Sequence, residues 1–221
     1  IGLTAGMSVA GLPPVVRIYN TGVNAVNRAE DLIDYSDPFE RREAEKEIIR
    51  TWGFAKTGNP VDMDPYINIF YGNNVYTPTT RTQLLNILKT IPSRDARRDL
   101  FIKAVNAATR YVAESNLKSM RFLSEKVSTS DSLQIIRDLP FAAYRGTGND
   151  VMLILSADHL LWTPDLKTAL ERSAETSKER FFDDVSLTVI GSASTVTKNA
   201  IDELGITLNI VSPADYSTYG G

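Results

Sequence analysis

Residues 185 to 195 read Val185-Ser-Leu-Thr-Val-Ile-Gly-Ser-Ala-Ser-Thr195, an apolar run followed by a glycine and a cluster of hydroxyl side chains. The apolar and β-branched residues predict a strand, and the hydroxyls predict the N-cap of a helix. A chain that leaves a strand and enters a helix presents free amides and the positive end of the helix dipole to an anion. The segment therefore predicts a strand–helix unit, with either plain capping or an anion site at Gly191, Ser192, Ser194 and Thr195.

The sequence on both sides extends this unit into an α/β pattern. The first predicted element is a hairpin, in which the turn Arg145–Asp150 joins the strands Phe141–Tyr144 and Val151–Leu155. A helix follows from Thr163 to about Ala174, and then the strand Val185–Ile190. The last two elements are a helix from Ser194 or Thr195 to Leu204 and the strand Ile206–Val211. We therefore predict a small α/β unit over about 140–212, a hairpin plus strand-helix-strand-helix-strand, with parallel pairs joined by right-handed crossovers. The last residues, 213–221, are predicted to form a flexible tail.

The preceding residues carry helical signals. Apolar side chains at steps of three and four predict a first helix over Val15–Ile33, and Asp37-Pro38-Phe39-Glu40 predicts the start of a second helix that reaches about Trp52. A third helix is predicted from Thr79 or Thr80 to Ile91, and one long helix is predicted from Ser93 to about Val127. The fold class is thus α+β or α/β, with a helical region over 1–139 packed with the C-terminal unit; one shared core or two domains are both open.

The start of the long predicted helix is crowded with charge. Arg94, Arg97 and Arg98 lie in the first turns, where the helix dipole disfavours positive charge, and Asp95 and Asp99 stand beside them. The sequence favours a local cluster of ion pairs here over an anionic partner.

Residues 53–79 are interrupted by glycine, proline and asparagine and are rich in aromatic side chains. So many breakers predict a long irregular loop, and long loops in compact domains are often functional. One interpretation is that Tyr66, Phe70, Tyr71 and Tyr76 contact another protein. The alternative is that Ile67, Ile69, Phe70 and Tyr71 pin the loop onto the helices.

Asp158-His159 follows the predicted strand Val151–Leu155, at the sheet edge where open α/β folds bind ligands. If the segment 191–195 lies on the same edge, His159 and Asp158 meet its hydroxyls, and a serine nucleophile with a histidine base becomes conceivable. The alternative is a hydrogen-bonded structural histidine. No G-x-G-x-x-G, P-loop or G-x-S-x-G pattern supports the catalytic interpretation.

Composition excludes several classes of site. Lysine and arginine number 24 against 27 acidic residues, giving a net charge of −3, so the basic field that nucleic-acid binding needs is missing. The chain has no cysteine and a single histidine. Thiolate chemistry and multi-histidine metal sites are therefore excluded within one chain, and the sequence predicts no metal site and no cofactor.

The uncharged segment 1–16 contains Pro13-Pro14 and is too short to span a bilayer, although it leaves membrane contact possible. Asp64-Pro65-Tyr66 after a basic helix, and the bend Leu161-Trp162-Thr163, resemble uncharacterised exported bacterial proteins with an amphipathic helical front. That resemblance implies a periplasmic or secreted location and no particular activity. The alternative is a cytoplasmic domain of a longer chain.

Two functional hypotheses follow. The first is a non-enzymatic binding or scaffold protein of a bacterial envelope or secreted assembly, with another protein as its partner. The second is a small-ligand binder for an anion or phosphate, or a hydrolase, which uses the C-terminal sheet edge. Both depend on whether the bend at His159 and the segment 191–195 share that edge.

Overall fold

In the computed structural model, the described residues are 37–54, 60–127, 134–136, 142–145, 150–180 and 182–212. Within these ranges the helices are α1 Pro38–Trp52, α2 Asp64–Gly72, α3 Pro78–Thr90, α4 Arg94–Val105, α5 Arg110–Lys126, α6 Pro164–Glu179 and α7 Thr195–Glu203. The strands are β1 Ala142–Arg145, β2 Val151–Leu160, β3 Val185–Ala193 and β4 Thr207–Val211. The predicted helix over 15–33, the segment 1–16 and the tail 213–221 lie outside the described residues.

One four-stranded sheet has the order β1-β2-β3-β4. β1 pairs with β2 antiparallel, which confirms the predicted hairpin, although residues 146–149 of its turn are outside the described ranges. β2 pairs with β3, and β3 with β4, in parallel. The helices α6 and α7 connect these parallel strands, so the predicted α/β unit is confirmed.

The core of this unit lies between the sheet and its two connecting helices. Its members are 0 to 9% exposed and come mostly from β2, β3, α6 and α7, among them Val151, Leu153, Leu170, Leu187, Val189 and Ile201. Burial of each such side chain contributes about 1.5 to 3 kcal/mol to stability. Buried positions follow one another along β2 and β3, as is typical of parallel strands that are covered on both faces, and their burial anchors the two strands.

Helix α5 packs against β2. The hydroxyl of Ser115 on α5 donates a hydrogen bond to the carbonyl oxygen of Ser156 on β2 at 2.8 Å. The predicted packing of helical elements with the C-terminal sheet is therefore confirmed.

The chain divides into two compact units, Ile1–Asn68 and Ile69–Gly221. Helices α3, α4 and α5 thus belong to the same unit as the sheet. A division at residues 139 and 140 stays a prediction, because 137–141 lies outside the described ranges.

The prediction of an irregular loop over 53–79 is wrong for residues 64–72, which form α2. The carboxylate of Asp62 accepts a hydrogen bond from the amide of Asp64 at 3.0 Å, and Pro65 occupies the first turn of the helix. Thr77 is the N-cap of α3 and accepts the amide N–H of Thr80, with Pro78 at the start of the helix. The prolines therefore begin helices here, where their missing N–H has no cost, although they suggested breaks in the sequence.

The single long helix predicted from Ser93 to about Val127 is also wrong, since residues 106–109 separate α4 from α5. The side-chain amide of Asn73 donates to the carbonyl oxygens of Val105 at 3.3 Å and Ala107 at 3.0 Å. Thr109 then caps α5 by accepting the amide N–H of Val112 at 3.2 Å. A residue distant in sequence thus satisfies carbonyl groups that a continuous helix would have bonded internally.

The longest described helix, α5, has 17 residues and carries several charges. A helix that spans a bilayer needs about 20 mainly apolar residues. None of the helices in the described ranges has the length and apolar character needed to cross a membrane.

Candidate functional site at the carboxyl edge of the sheet

A β-bulge interrupts the pairing of β2 with β3. Ala157 lies opposite Gly191 and Leu160 opposite Ala193, so that two residues of β2, Asp158 and His159, face a single residue of β3. That residue is Ser192. Bulges of this kind redirect side chains and occur often beside functional sites.

Gly191 makes this close approach of the two strands possible. Its φ angle is +144°, and a Cβ atom added there would lie 1.7 Å from the carbonyl oxygen of Ala157. No residue with a side chain fits that space. Gly191, one of the residues of the predicted anion site, is buried within β3. Its role in the structure is to allow the backbone of β3 to approach the carbonyl of Ala157 closely.

The bulge brings three of the predicted residues together. The Nδ1 atom of His159 lies 2.8 Å from the Oγ atom of Ser192. The hydroxyl of Ser192 also donates to the carbonyl oxygen of Asp158 at 2.7 Å. Asp158, His159 and Ser192 are all exposed to solvent. The bend at His159 and the segment that starts at Gly191 therefore share one edge of the sheet.

The remaining hydroxyl residues of the segment shape the start of α7. Ser194 accepts the amide N–H of Thr197 at 3.1 Å, and the hydroxyl of Thr197 donates to the carbonyl oxygen of Leu160 at 3.1 Å. Thr195 is exposed at the first position of the helix. Ser194 is thus an N-cap, as the capping alternative predicts.

A small polar pocket opens beside Asp158 between α5 and β2. It has a volume of about 50 Å³ and is lined by Tyr111, Glu114, Ser115, Lys118, Ser156 and Asp158. A water molecule in liquid takes up about 30 Å³, so the pocket suits one or two waters or a single small functional group. The α5 residues of this pocket were not predicted, because only the packing of α5 on β2 brings them to the site.

Two exposed apolar side chains adjoin the bulge. Leu161 is 57% exposed directly after β2, and Val196 is 66% exposed in the first turn of α7. The carbonyl of Leu160 accepts hydrogen bonds from the amide of Ser194 and the hydroxyl of Thr197, which holds these two chain segments together. We name the set Asp158, His159, Leu161, Ser192 and Val196 the bulge surface.

Of the four aromatic residues predicted to contact a partner, Phe70 and Tyr76 are only 0 and 1% exposed. The ring centroid of Phe70 lies 5.3 Å from that of Tyr76 and 5.2 Å from that of Phe101. Tyr66 and Tyr71 are half-buried. Phe70 and Tyr76 are therefore core residues, and neither offers a contact surface. The pinning alternative is confirmed for Ile67 and Phe70, which are 2 and 0% exposed, but not for Ile69, which is 46% exposed.

Burial raises the pKa of Tyr76 to about 12, against an opposing hydrogen bond with Asn116. Since an unfolded tyrosine ionises near pH 10, the stabilising contribution is complete below about pH 10 and is lost as the pH rises to about 12. Between about pH 10 and pH 12, we expect the unfolding free energy of the wild type to fall by about 2 to 3 kcal/mol more than that of a Tyr76→Phe variant. Urea unfolding at stepped pH measures it.

The matched control for this prediction is Tyr111→Phe, because the Tyr111 side chain is 56% exposed. Its removal should leave the alkaline fall in stability unchanged. Equal pH profiles of the wild-type and Tyr76→Phe proteins would contradict the assignment of that fall to Tyr76.

Within the part of the chain that the structure describes, no group of three or more histidine, cysteine, aspartate or glutamate side chains is placed to hold a metal ion. Comparisons of the chain with protein-family models, curated proteins and solved structures found no match.

Proposed function

We propose that this chain is a non-enzymatic binding protein of a bacterial envelope or secreted assembly, and that the bulge surface is its contact site for another protein. The observation that carries the proposal is the exposure of Leu161 and Val196, 57 and 66%, beside the hydrogen-bonded polar groups of the bulge. Protein interfaces combine apolar centres with polar rims. The envelope or secreted setting is supported only by the resemblance of Asp64-Pro65-Tyr66 and Leu161-Trp162-Thr163 to exported proteins.

The position of the bulge also favours binding. It lies at the carboxyl ends of two parallel strands, where open α/β sheets place their ligands. Exposed apolar side chains are common singly, but Leu161 and Val196 stand on two segments that hydrogen bonds to the carbonyl of Leu160 hold together. The surface thus replaces the segment 66–76 as the proposed contact site, because two of the four rings there are buried.

The hydrogen bonds of the bulge count against catalysis. A nucleophilic serine must give its proton to the base, but the hydroxyl of Ser192 donates to the carbonyl of Asp158. Among the hydrogen bonds of the described residues, His159 contacts no carboxylate that would orient its ring as a triad requires. The 50 Å³ pocket beside the bulge also leaves little room for a substrate.

A hydrolase remains the second candidate, and one observation favours it. The 2.8 Å between the Nδ1 atom of His159 and the Oγ atom of Ser192 lies within the reach of general-base catalysis. In that case a rotation of the hydroxyl away from Asp158 would precede reaction.

Site-specific photo-crosslinking tests the binding proposal. A photoreactive amino acid at position 161 and, separately, at position 196 should give the same covalent adduct with one partner in the native cells. The matched control is position 179, an exposed residue at the far end of α6, which should give no such adduct. Excess wild-type protein without the label should suppress the adduct. Adducts that are equal at all three positions would count against the proposal.

A fluorophosphonate probe separates the two candidates. The binding proposal expects no modification of Ser192 by mass spectrometry, in wild-type protein and in a His159→Gln variant alike. Modification of Ser192 in the wild type that disappears in His159→Gln would instead establish a base-activated nucleophile and favour the hydrolase.

A further inference from the structure

The two contacts of Ser192 determine where the proton of His159 resides. Oxygen atoms 2.7 Å apart need a hydrogen between them, and the Asp158 carbonyl can only accept. The single hydroxyl proton of Ser192 is therefore used there. The second contact, 2.8 Å from Ser192 Oγ to His159 Nδ1, must then take its hydrogen from Nδ1.

We propose that Ser192 is a positioning residue that holds His159 in its Nδ1-protonated tautomer, so that Nε2 and the Asp158 carboxylate together receive a basic side chain of the partner. A neutral imidazole carries one N–H proton, so one ring nitrogen donates a hydrogen bond and the other can only accept. The hydrogen bond that one nitrogen makes therefore determines whether the other carries a proton. The Nε2 atom consequently carries a lone pair.

The chemistry of the partner group follows from the two acceptors. Asp158 and His159 are consecutive residues of the bulge, and the Asp158 side chain is 85% exposed. A carboxylate and a bare imidazole nitrogen both require a donor, and a guanidinium or ammonium group supplies several N–H donors with a complementary charge. This step rests on the proposed function, because it names the group that the bulge surface binds.

Other charged groups near Asp158 permit this assignment. The ammonium of Lys118 lies 3.9 Å from a carboxylate oxygen of Asp158, which is beyond hydrogen-bonding distance. Glu114, which lines the same pocket, is paired with Arg110 at 3.0 Å. Lys118 and Asp158 thus form an ion pair without a hydrogen bond, and because the Asp158 side chain is 85% exposed, its carboxylate oxygens can still accept N–H donors from an incoming cation.

Nitrogen-15 NMR tests the tautomer directly, because His159 is the only histidine of the chain. In mildly alkaline buffer, where imidazoles are uncharged, we expect a protonated, pyrrole-type Nδ1 and a bare, pyridine-type Nε2. Ser192→Ala should lose this preference, and Ser192→Thr should retain it because the hydroxyl is kept. A wild-type protein protonated at Nε2, or an unchanged tautomer in Ser192→Ala, would overturn the positioning role.

A titration tests the class of partner group. Argininamide should shift the Nε2 resonance of the wild type, and the shift should be lost in Asp158→Asn. The anionic control, N-acetylglutamate, should leave the resonance in place. No response to argininamide, or an equal response to both compounds, would overturn the choice of a basic partner. These measurements need no natural partner, so their failure is distinguishable from a failure of the crosslinking experiment.

Discussion

Replacement of Gly191 by alanine is expected to lower the free energy of unfolding by about 4 kcal/mol. The added Cβ atom would lie 1.7 Å from the carbonyl oxygen of Ala157, and the φ angle of +144° is one that residues with side chains rarely adopt. Backbone strain and overpacking each cost about 1 to 3 kcal/mol, and both apply at this position. Urea unfolding followed by circular dichroism measures the loss.

Gly205→Ala is the matched control. Gly205 also has a positive φ angle, +71°, but a Cβ atom added there would meet nothing within 4 Å. Only the left-handed backbone conformation is then penalised, at about 1 to 2 kcal/mol. Equal losses in the two variants would show that the close approach at Ala157 does not constrain the bulge.

In Gly191→Ala we also expect the tautomer preference of His159 to disappear, since the bulge positions its ring.

Replacement of Arg98 by methionine is expected to cost about 3 to 5 kcal/mol, the usual penalty for removal of one partner of a buried ion pair. The Arg98 side chain is 8% exposed, and its guanidinium lies 2.9 Å from a carboxylate oxygen of Asp99 and 3.2 Å from one of Asp95. The predicted cluster of ion pairs at the start of α4 is thus confirmed for Arg98, whereas the guanidinium of Arg97 donates to the carbonyl oxygen of Ile91 at 2.6 Å. Methionine keeps the length of the side chain but removes the guanidinium that pairs with both acidic groups.

The control for this variant is Arg110→Met. Arg110 pairs with Glu114 at 3.0 Å, but its side chain is 64% exposed, and exposed pairs contribute about 0 to 1 kcal/mol. Asp99→Asn introduced into Arg98→Met should recover part of the stability, because it removes a buried carboxylate that has lost the guanidinium of Arg98. A cost below about 1 kcal/mol for Arg98→Met would contradict a stabilising role for the cluster.

The elements of the C-terminal unit were predictable because their signals are local. The apolar runs of β2 and β3, the Thr163-Pro164-Asp165 helix start and the glycine after α7 act over a few residues. Their order also determines that the pairs β2–β3 and β3–β4 are parallel. The candidate residues His159 and Ser192 followed from the same reasoning, since the carboxyl ends of neighbouring parallel strands meet at one edge.

The helical region shows where local signals mislead. The Asp64-Pro65 and Thr77-Pro78 pairs can end one element or start another, and the neighbouring glycines favoured the wrong choice. The break between α4 and α5 depends on Asn73, more than 30 residues upstream of the carbonyls it bonds. The burial of Phe70 and Tyr76 likewise depends on the position of Phe101 and of α4.

In the C-terminal unit, local sequence signals were enough to predict which segments become strands and helices, that the sheet is largely parallel, and which polar residues reach its carboxyl edge. Three features of the site depend on the packing of distant segments: the bulge register that sets Asp158 and His159 against Ser192, the tautomer that follows from it, and the α5 side chains beside it. These features differ from the predictable ones in the distance along the chain over which their interactions act. Capping and periodicity act within a turn or a strand, whereas register, burial and hydrogen-bond direction depend on groups that meet only when distant segments pack.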